Sequence, residues 1–403
     1  MALVVAQAEL LIYGRLDGGV FQAELAITSD RSLPASPAVQ PTQEKDLSMY
    51  FGSDNQSGAS DAVFAALAQA NQGISAAYGD DEWTQQAVRA IQTTFDSPAE
   101  VFFVSTGTAA NALALACMSS PWQIILCHAQ AHILNDELTA PEFFTGGARM
   151  IGLDAGREKL SLETLSQYLS QGSAHPPHNA EPAVLSLTQV TESGQVYSIE
   201  ELAALCAVAH QHGLTVHMDG ARFANAVAGL NCHPAAISWQ AGVDVLSLGA
   251  TKNGALSAEA IVFFNRPLAA NLVPLRKRSG HLVSKGRWLG AQFSAWLNDG
   301  HWLELAAHAN RMATLLEQGM AACPASQVIW PVAANEVFAI LPSPVIEQLR
   351  AQGAVFYQWP RHFVPSHFNL SEHDEVVRLV TSFRTSEADV TTFLGHLNAA
   401  ERG

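Results

Sequence analysis

Asp219 and Lys252 stand 33 positions apart, and each lies just beyond an apolar run. The run Leu214 to Val216 leads into His217-Met218-Asp219-Gly220-Ala221-Arg222, and Val243 to Leu248 leads into Gly249-Ala250-Thr251-Lys252-Asn253. A buried strand with an acid at its tip, followed by one that delivers an amine, is what pyridoxal phosphate chemistry requires. The lysine condenses with the cofactor aldehyde, and the carboxylate pairs with the protonated pyridine nitrogen, so the ring can accept the electrons of a broken Cα bond. At ~4 Å such a pair is worth roughly 4 kcal/mol at an effective dielectric near 20. Taken alone, the two segments also read as a strand-end acid and a surface lysine that never meet.

A third segment adds an anion site. Val101 to Val104 reads as a buried strand, and Ser105-Thr106-Gly107-Thr108-Ala109-Ala110-Asn111 turns into the apolar helix Ala112 to Met118. Gly107 permits a tight turn, Thr106 and Thr108 offer hydroxyls, and the helix start presents free N–H groups, which together suit a phosphate. Many strand-to-helix turns have Thr and Gly without binding one. The segment lacks the Lys-Ser or Lys-Thr of a Walker loop and the later glycines of a dinucleotide fingerprint. What is specific is the combination of cup, acid and lysine in that order, each at a strand end.

With these segments, residues 49–403 resemble the threonine aldolase branch of the fold type I pyridoxal phosphate enzymes, the β-eliminating lyase family. The matching stretches include Gly52-Ser53-Asp54-Asn55, Tyr78-Gly79-Asp80-Asp81-Glu82, Thr106 to Asn111, Asp219-Gly220-Ala221-Arg222, Lys252 and Val377-Arg378-Leu379-Val380-Thr381. Within it, Ala140-Pro141-Glu142-Phe143-Phe144, Gly249 to Gly254 and Arg276-Lys277-Arg278-Ser279-Gly280 are most similar to phenylserine aldolases. The resemblance implies reversible cleavage of an L-β-hydroxy-α-amino acid to glycine and an aldehyde. It makes Lys252 the lysine that holds the cofactor, Asp219 the pyridinium partner, and Thr106, Gly107 and Thr108 the phosphate cup, and it stacks His132 on the ring. Arg222, Arg378 and Ser53 then hold the substrate carboxylate, with Arg222 also beside the cofactor. A lone Arg222 also reads as a salt-bridge partner, Arg378 as a solvent-facing strand residue and Tyr78 as core. By resemblance Tyr78 lies near the site across a subunit boundary, and Lys285, or failing that Arg287, reaches the phosphate from a neighbouring subunit. That implies a homodimer with shared active sites, paired into a homotetramer.

One departure bears on the chemistry. Many threonine aldolases have Thr-His-Asn-Gly after the central strand; here Thr191-Glu192-Ser193-Gly194 stands in a segment one residue longer. The base for the substrate hydroxyl is therefore His132, Glu192 or a water, or else the segment only shapes the aldehyde pocket. His128 and His132, four apart, with Asp136 and Glu137 nearby, invite a zinc reading, but no third ligand is fixed by spacing and no metal is expected. Other readings are a different lyase or aminotransferase reaction on the same scaffold, a metal hydrolase built on the two histidines, and a structural protein.

Elements that place these residues follow from the hydropathy pattern. Apolar runs at Val101 to Val104, Gln123 to Leu126, Met150 to Leu153, Val184 to Leu187, Leu214 to His217, Val243 to Leu248 and Ile261 to Phe264 alternate with helical stretches such as Ile199 to His210. This predicts an α/β fold: a mostly parallel seven-stranded sheet with helices on both faces and ligands beyond the strand C-termini. Helical text follows through 286–297 and 303–320, and a small C-terminal α+β region from about residue 321. The expected division is a dispensable extension over 1–48, with a Pro, Ser and Ala linker at 32–43, an arm and large cofactor-binding domain over 49–299, and a small domain over 300–403. The formal charge of −16 disfavours nucleic acid or an anionic membrane as partner. Five cysteines without a C-x-x-C pair read as reduced thiols of a cytoplasmic protein. No apolar run is long enough for a membrane span, and the N-terminus has no basic region ahead of its apolar stretch.

Overall fold

Near-continuous apolar strands build the centre of the molecule. The computed structural model describes residues 49–154, 157–171 and 178–401; the extension over 1–48 and its linker lie outside them. Among the described residues, eleven strands form two sheets. The first holds β1 (Glu100–Val104), β2 (Ile124–His128), β3 (Arg149–Leu153), β4 (Pro182–Thr188), β5 (Thr215–Gly220), β6 (Val245–Gly249) and β7 (Glu259–Phe263). Their order is β1-β7-β6-β5-β4-β2-β3, and β7 alone among them runs antiparallel to its neighbours. Every residue of β2, β6 and β7 is buried, as expected of strands covered on both faces.

Alternation along the strands feeds two cores. Ile125, Val184, Val245 and Ile261 pack with helix Gly107–Met118 on one face. Their neighbours Leu126, Leu185, Leu246 and Val262 join Ile91, Leu205, Phe223 and Phe293 on the other. The seven apolar runs of the sequence all became strands, with ends displaced by a few residues. Ser198 and Glu201 form a capping box at the start of helix Ile199–Gln211, which satisfies its first N–H groups.

The second sheet is antiparallel, with β8 (Gln327–Val328), β9 (Glu336–Pro342), β10 (Tyr357–Trp359) and β11 (Asp374–Val380) in the order β10-β11-β9-β8. Val337, Ala339 and Leu341 of β9 face a core shared with helices His301–Ala321, Ser343–Ala351 and Glu387–Glu401. Met49 and Phe51 of the N-terminal arm are buried in that same core, and Phe51 donates its N–H to Val355 O at 2.7 Å. Phe338 and Ile340 face the other way, among Trp330 and Trp359.

Because β1, β2, β4, β5 and β6 run the same way, their C-termini open on one edge. The segments around residues 106, 130, 190, 220 and 251 therefore converge there. Two glycines let them approach. A Cβ on Gly220 would stand 2.8 Å from Ser247 O, and one on Gly249 would stand 2.8 Å from Ala221 Cα. Both distances are shorter than any side chain tolerates, so the exits of β5 and β6 touch backbone to backbone.

Candidate active site

Asp219 is buried at the tip of β5 with its carboxylate fixed from two sides. Oδ1 accepts the Ala221 N–H at 3.0 Å, and Oδ2 accepts from Asn111 Nδ2 at 2.8 Å. Asn111 comes from the interior of helix Gly107–Met118 and also donates to Glu137 Oε1 at 2.9 Å. The same Glu137 oxygen meets His132 Nδ1 at 2.8 Å. A chain of polar groups thus runs from Asp219 through Asn111 and Glu137 to His132. Its hydrogen bond to Glu137, against burial that pulls the other way, raises the His132 imidazole above its ordinary range. His132, Glu137 and Asp219 lie close enough to suggest a cation site. However, the Asn111 amide, a donor, stands between the two carboxylates.

Glu192 lies beyond β4, half-buried. Its Oε1 accepts the backbone N–H of His132 at 2.8 Å, while Oε2 is shielded and has no hydrogen-bond partner among the described residues. Burial pushes its carboxyl up to about 7, the His132 N–H opposing that rise. His128 closes β2, buried, whereas His132 opens a separate short helix, so the two do not share a helix face.

Lys252 sits in the 3₁₀ turn Thr251–Asn253 after β6. Asp54, His132 and Glu259 all feel its charge. Glu259 opens β7 opposite Gly249 and Val104, and burial pushes it up to about 7. Arg222 follows β5 and grips Asp54 with two donors, Nε at 2.8 Å and Nη2 at 3.2 Å. Burial raises the Asp54 carboxyl, but Arg222, Lys252 and Asn335 outweigh it and hold it below its ordinary range. Glu336 Oε1 lies 3.4 Å from Arg222 Nη2 and 3.8 Å from Arg378 Nη1. The Arg378 guanidinium stands 4.4 Å from the Trp359 ring centroid, and its Nε has no partner. Ser53, next to Asp54, accepts the Asn55 N–H at 3.2 Å and caps the short turn there.

The phosphate-cup segment has the expected local form. Thr106 caps helix Gly107–Met118 by accepting the Ala109 N–H at 3.2 Å, and a Cβ on Gly107 would meet nothing within 4 Å. The helix start therefore faces open space with its first N–H groups turned outward, the setting an anion needs. Thr108 belongs to the same first turn. The structure brings together Asp219, His132, Glu192, Lys252, Arg222, Arg378 and Ser53. Tyr78, Lys285 and Arg287 stand apart from that cluster within the chain. Tyr78 is half exposed under Lys277 Nζ, Lys285 is exposed, and Arg287 reaches the Gln72 and Gly73 carbonyls at 3.4 Å. Asn111, Glu137 and Glu336 are the participants that sequence reasoning did not assign.

A buried acid fixed by two donors, a lysine one strand over and an open helix start fit pyridoxal phosphate: ring nitrogen, aldehyde and phosphate each meet a matching group. With the mostly parallel sheet behind them, they define a pyridoxal phosphate enzyme of the fold type I architecture.

The model of the beta-eliminating lyase family matches residues 51–342. A low specificity L-threonine aldolase of Pseudomonas aeruginosa is 45% identical over 313 residues, covering 77% of this chain and 90% of that protein. One from another Pseudomonas strain is 43% identical with the same coverage. The solved structure of Leishmania major threonine aldolase superposes with a TM-score of 0.81 at 29% identity, over 87% of this chain and 99% of the other. The chain belongs to the beta-eliminating lyase family, and pyridoxal phosphate is its cofactor. Among the described residues no helix is long and apolar enough to cross a membrane.

Proposed function

We propose that this chain is a carbon–carbon lyase that cleaves L-β-hydroxy-α-amino acids of the threonine or phenylserine type, reversibly, to glycine and an aldehyde. The observation that carries the proposal is the Glu192 carboxyl held beside His132 at the strand-end site, whose Oε2 has no hydrogen-bond partner among the described residues. Retro-aldol cleavage needs a group that takes the β-hydroxyl proton, and Glu192 has an unspent lone pair for it. His132 suits the task less, because Glu137 occupies its Nδ1 and favours the protonated ring.

Lys252 would hold the cofactor aldehyde, Asp219 the ring nitrogen, and Thr106, Gly107 and Thr108 the phosphate. When bound, pyridoxal phosphate supplies the electron sink that stabilises the carbanion at Cα. Asn111 and the Ala221 N–H keep Asp219 aimed, and His132, held by Glu137, would lie against the cofactor. Arg378 and Ser53, with Arg222 behind them, hold the substrate carboxylate. Glu192 takes the hydroxyl proton, the Cα–Cβ bond breaks as the aldehyde leaves, and return of a proton to Cα gives glycine.

Finer features of the proposal are an aryl β-substituent as preferred substrate, a homodimer paired into a homotetramer, and a cytoplasmic setting. Residues 49–299 and 300–403 act as large and small domains. The exposed Lys285 and the half-exposed Tyr78 loop support sharing of sites, with Lys285 or Arg287 completing a partner's phosphate cup. The test is Glu192→Gln. Aldehyde release is expected to fall by about 10²- to 10⁴-fold, the usual contribution of a positioned base, while glycine still exchanges its α-proton. Unimpaired aldehyde release would remove Glu192 from the reaction.

A further inference from the structure

Four charges, two buried and two half-buried, meet at the carboxylate side of the site. Two are the arginines Arg222 and Arg378, and two are the acids Asp54 and Glu336. Asp54 is fully engaged: it accepts both donors of Arg222, and Asn335 Nδ2 donates to it at 3.2 Å. Glu336 is not. It opens β9, is 2% exposed, and neither of its carboxylate oxygens has a hydrogen-bond partner among the described residues. Its Oε1 nevertheless lies between the two guanidinium groups, 3.4 Å from one and 3.8 Å from the other. Arg378 mirrors this state, with Nε unpartnered and burial depressing its affinity for the proton, an effect that Glu336 partly offsets.

A buried donor such as Arg378 Nε, left without an acceptor, is costly unless another group completes it. An incoming carboxylate beside Arg378 takes the free guanidinium donors. It then sits within a few ångström of the Glu336 carboxylate, which repels it. Arg222 spends two of its five N–H donors on Asp54. Gly194, with φ of 73°, packs against the Glu336 side chain: a Cβ there would stand 3.2 Å from Glu336 Cβ. The Glu192 loop and Glu336 therefore hold each other in place.

We propose that Glu336 is a positioning residue, an internal counter-anion that spaces Arg222 and Arg378 and restrains how tightly the site holds a carboxylate. The inference rests on the aldolase reading, in which that carboxylate belongs to the amino acid substrate and to glycine. Restraint at this point serves turnover, since tight binding that is equal in ground and transition states lowers KM without raising kcat.

The experiment is a titration of the holoenzyme with glycine and with glycinamide, followed by the visible absorption of the bound cofactor. Glu336→Gln is expected to tighten glycine by about 10³-fold relative to glycinamide, the order expected for one unit charge ~4 Å away at an effective dielectric near 20. Should that variant fail to fold, Glu336→Asp, which draws the charge back from both arginines, is expected to raise the glycine-to-glycinamide ratio by about threefold on the same grounds. An unchanged or falling ratio in a folded variant, or equal tightening of both ligands, overturns the role given to Glu336. A wild-type holoenzyme that binds neither ligand overturns the aldolase reading and this inference with it.

Discussion

At the scale of the residue, proton placement separates Glu192 from His132. Burial lifts the Glu192 carboxyl from its ordinary 4.5 to about 7, so its base form dominates only above that pH. If Glu192 takes the hydroxyl proton, kcat/KM rises with pH through about 7 and then levels, and Glu192→Gln loses that limb. The same shift has a stability consequence of fixed sign. The folded chain keeps a proton that the unfolded chain releases between pH 4.5 and 7, so stability falls as pH climbs through that window. Thermal melts of wild type against Glu192→Gln should converge toward pH 5 and diverge toward pH 8 in favour of the variant. Lys252→Ala should lose turnover; normal activity in that variant contradicts its assignment. Asp219, Lys252 and Arg222 were legible in the sequence because each sits just beyond an apolar run. Asn111 and Glu137 were not, since Asn111 is one polar side chain inside an Ala- and Leu-rich helix. Its role depends on Asp219, 108 positions away. Glu336 begins a strand that is otherwise a continuous apolar run, and only tertiary contact shows what it faces.

At the scale of the element, strand existence was easier to read than strand surroundings. β2, β6 and β7 are buried along their whole length, and such strands announce themselves as short apolar runs between polar turns. Sheet order does not, because it depends on which crossover lies on which face. The arm shows the same limit: Met49 and Phe51 belong by burial to the core of the C-terminal sheet, a contact no local pattern signals. The close approach of the β5 and β6 exits yields an element-level prediction. Gly249→Ala places a Cβ 2.8 Å from the Ala221 backbone and must push the Lys252 turn away from the Asp219 turn. Overpacking of this kind costs about 1–3 kcal/mol. Weaker pyridoxal phosphate binding at equilibrium is expected along with the lower Tm. Unaltered cofactor affinity would mean that the spacing of the two turns does not matter.

At the scale of the whole molecule, neither candidate cation for the phosphate cup is committed to it within one chain: Lys285 is exposed and Arg287 is engaged with Gln72 and Gly73. Shared sites make a distinct prediction. Lys252→Ala and Lys285→Ala proteins, each impaired alone, should recover activity when their subunits are exchanged, because one hybrid site receives both native residues. No recovery despite proven exchange would place each site within one chain. The central claim concerns the reaction, and it is tested most directly by measuring aldehyde and glycine released from L-phenylserine and L-threonine in parallel, with pyridoxal phosphate supplied. The account predicts equal amounts of the two products, with kcat/KM favouring phenylserine. A protein that turns yellow with the cofactor yet releases aldehyde from neither substrate would contradict it.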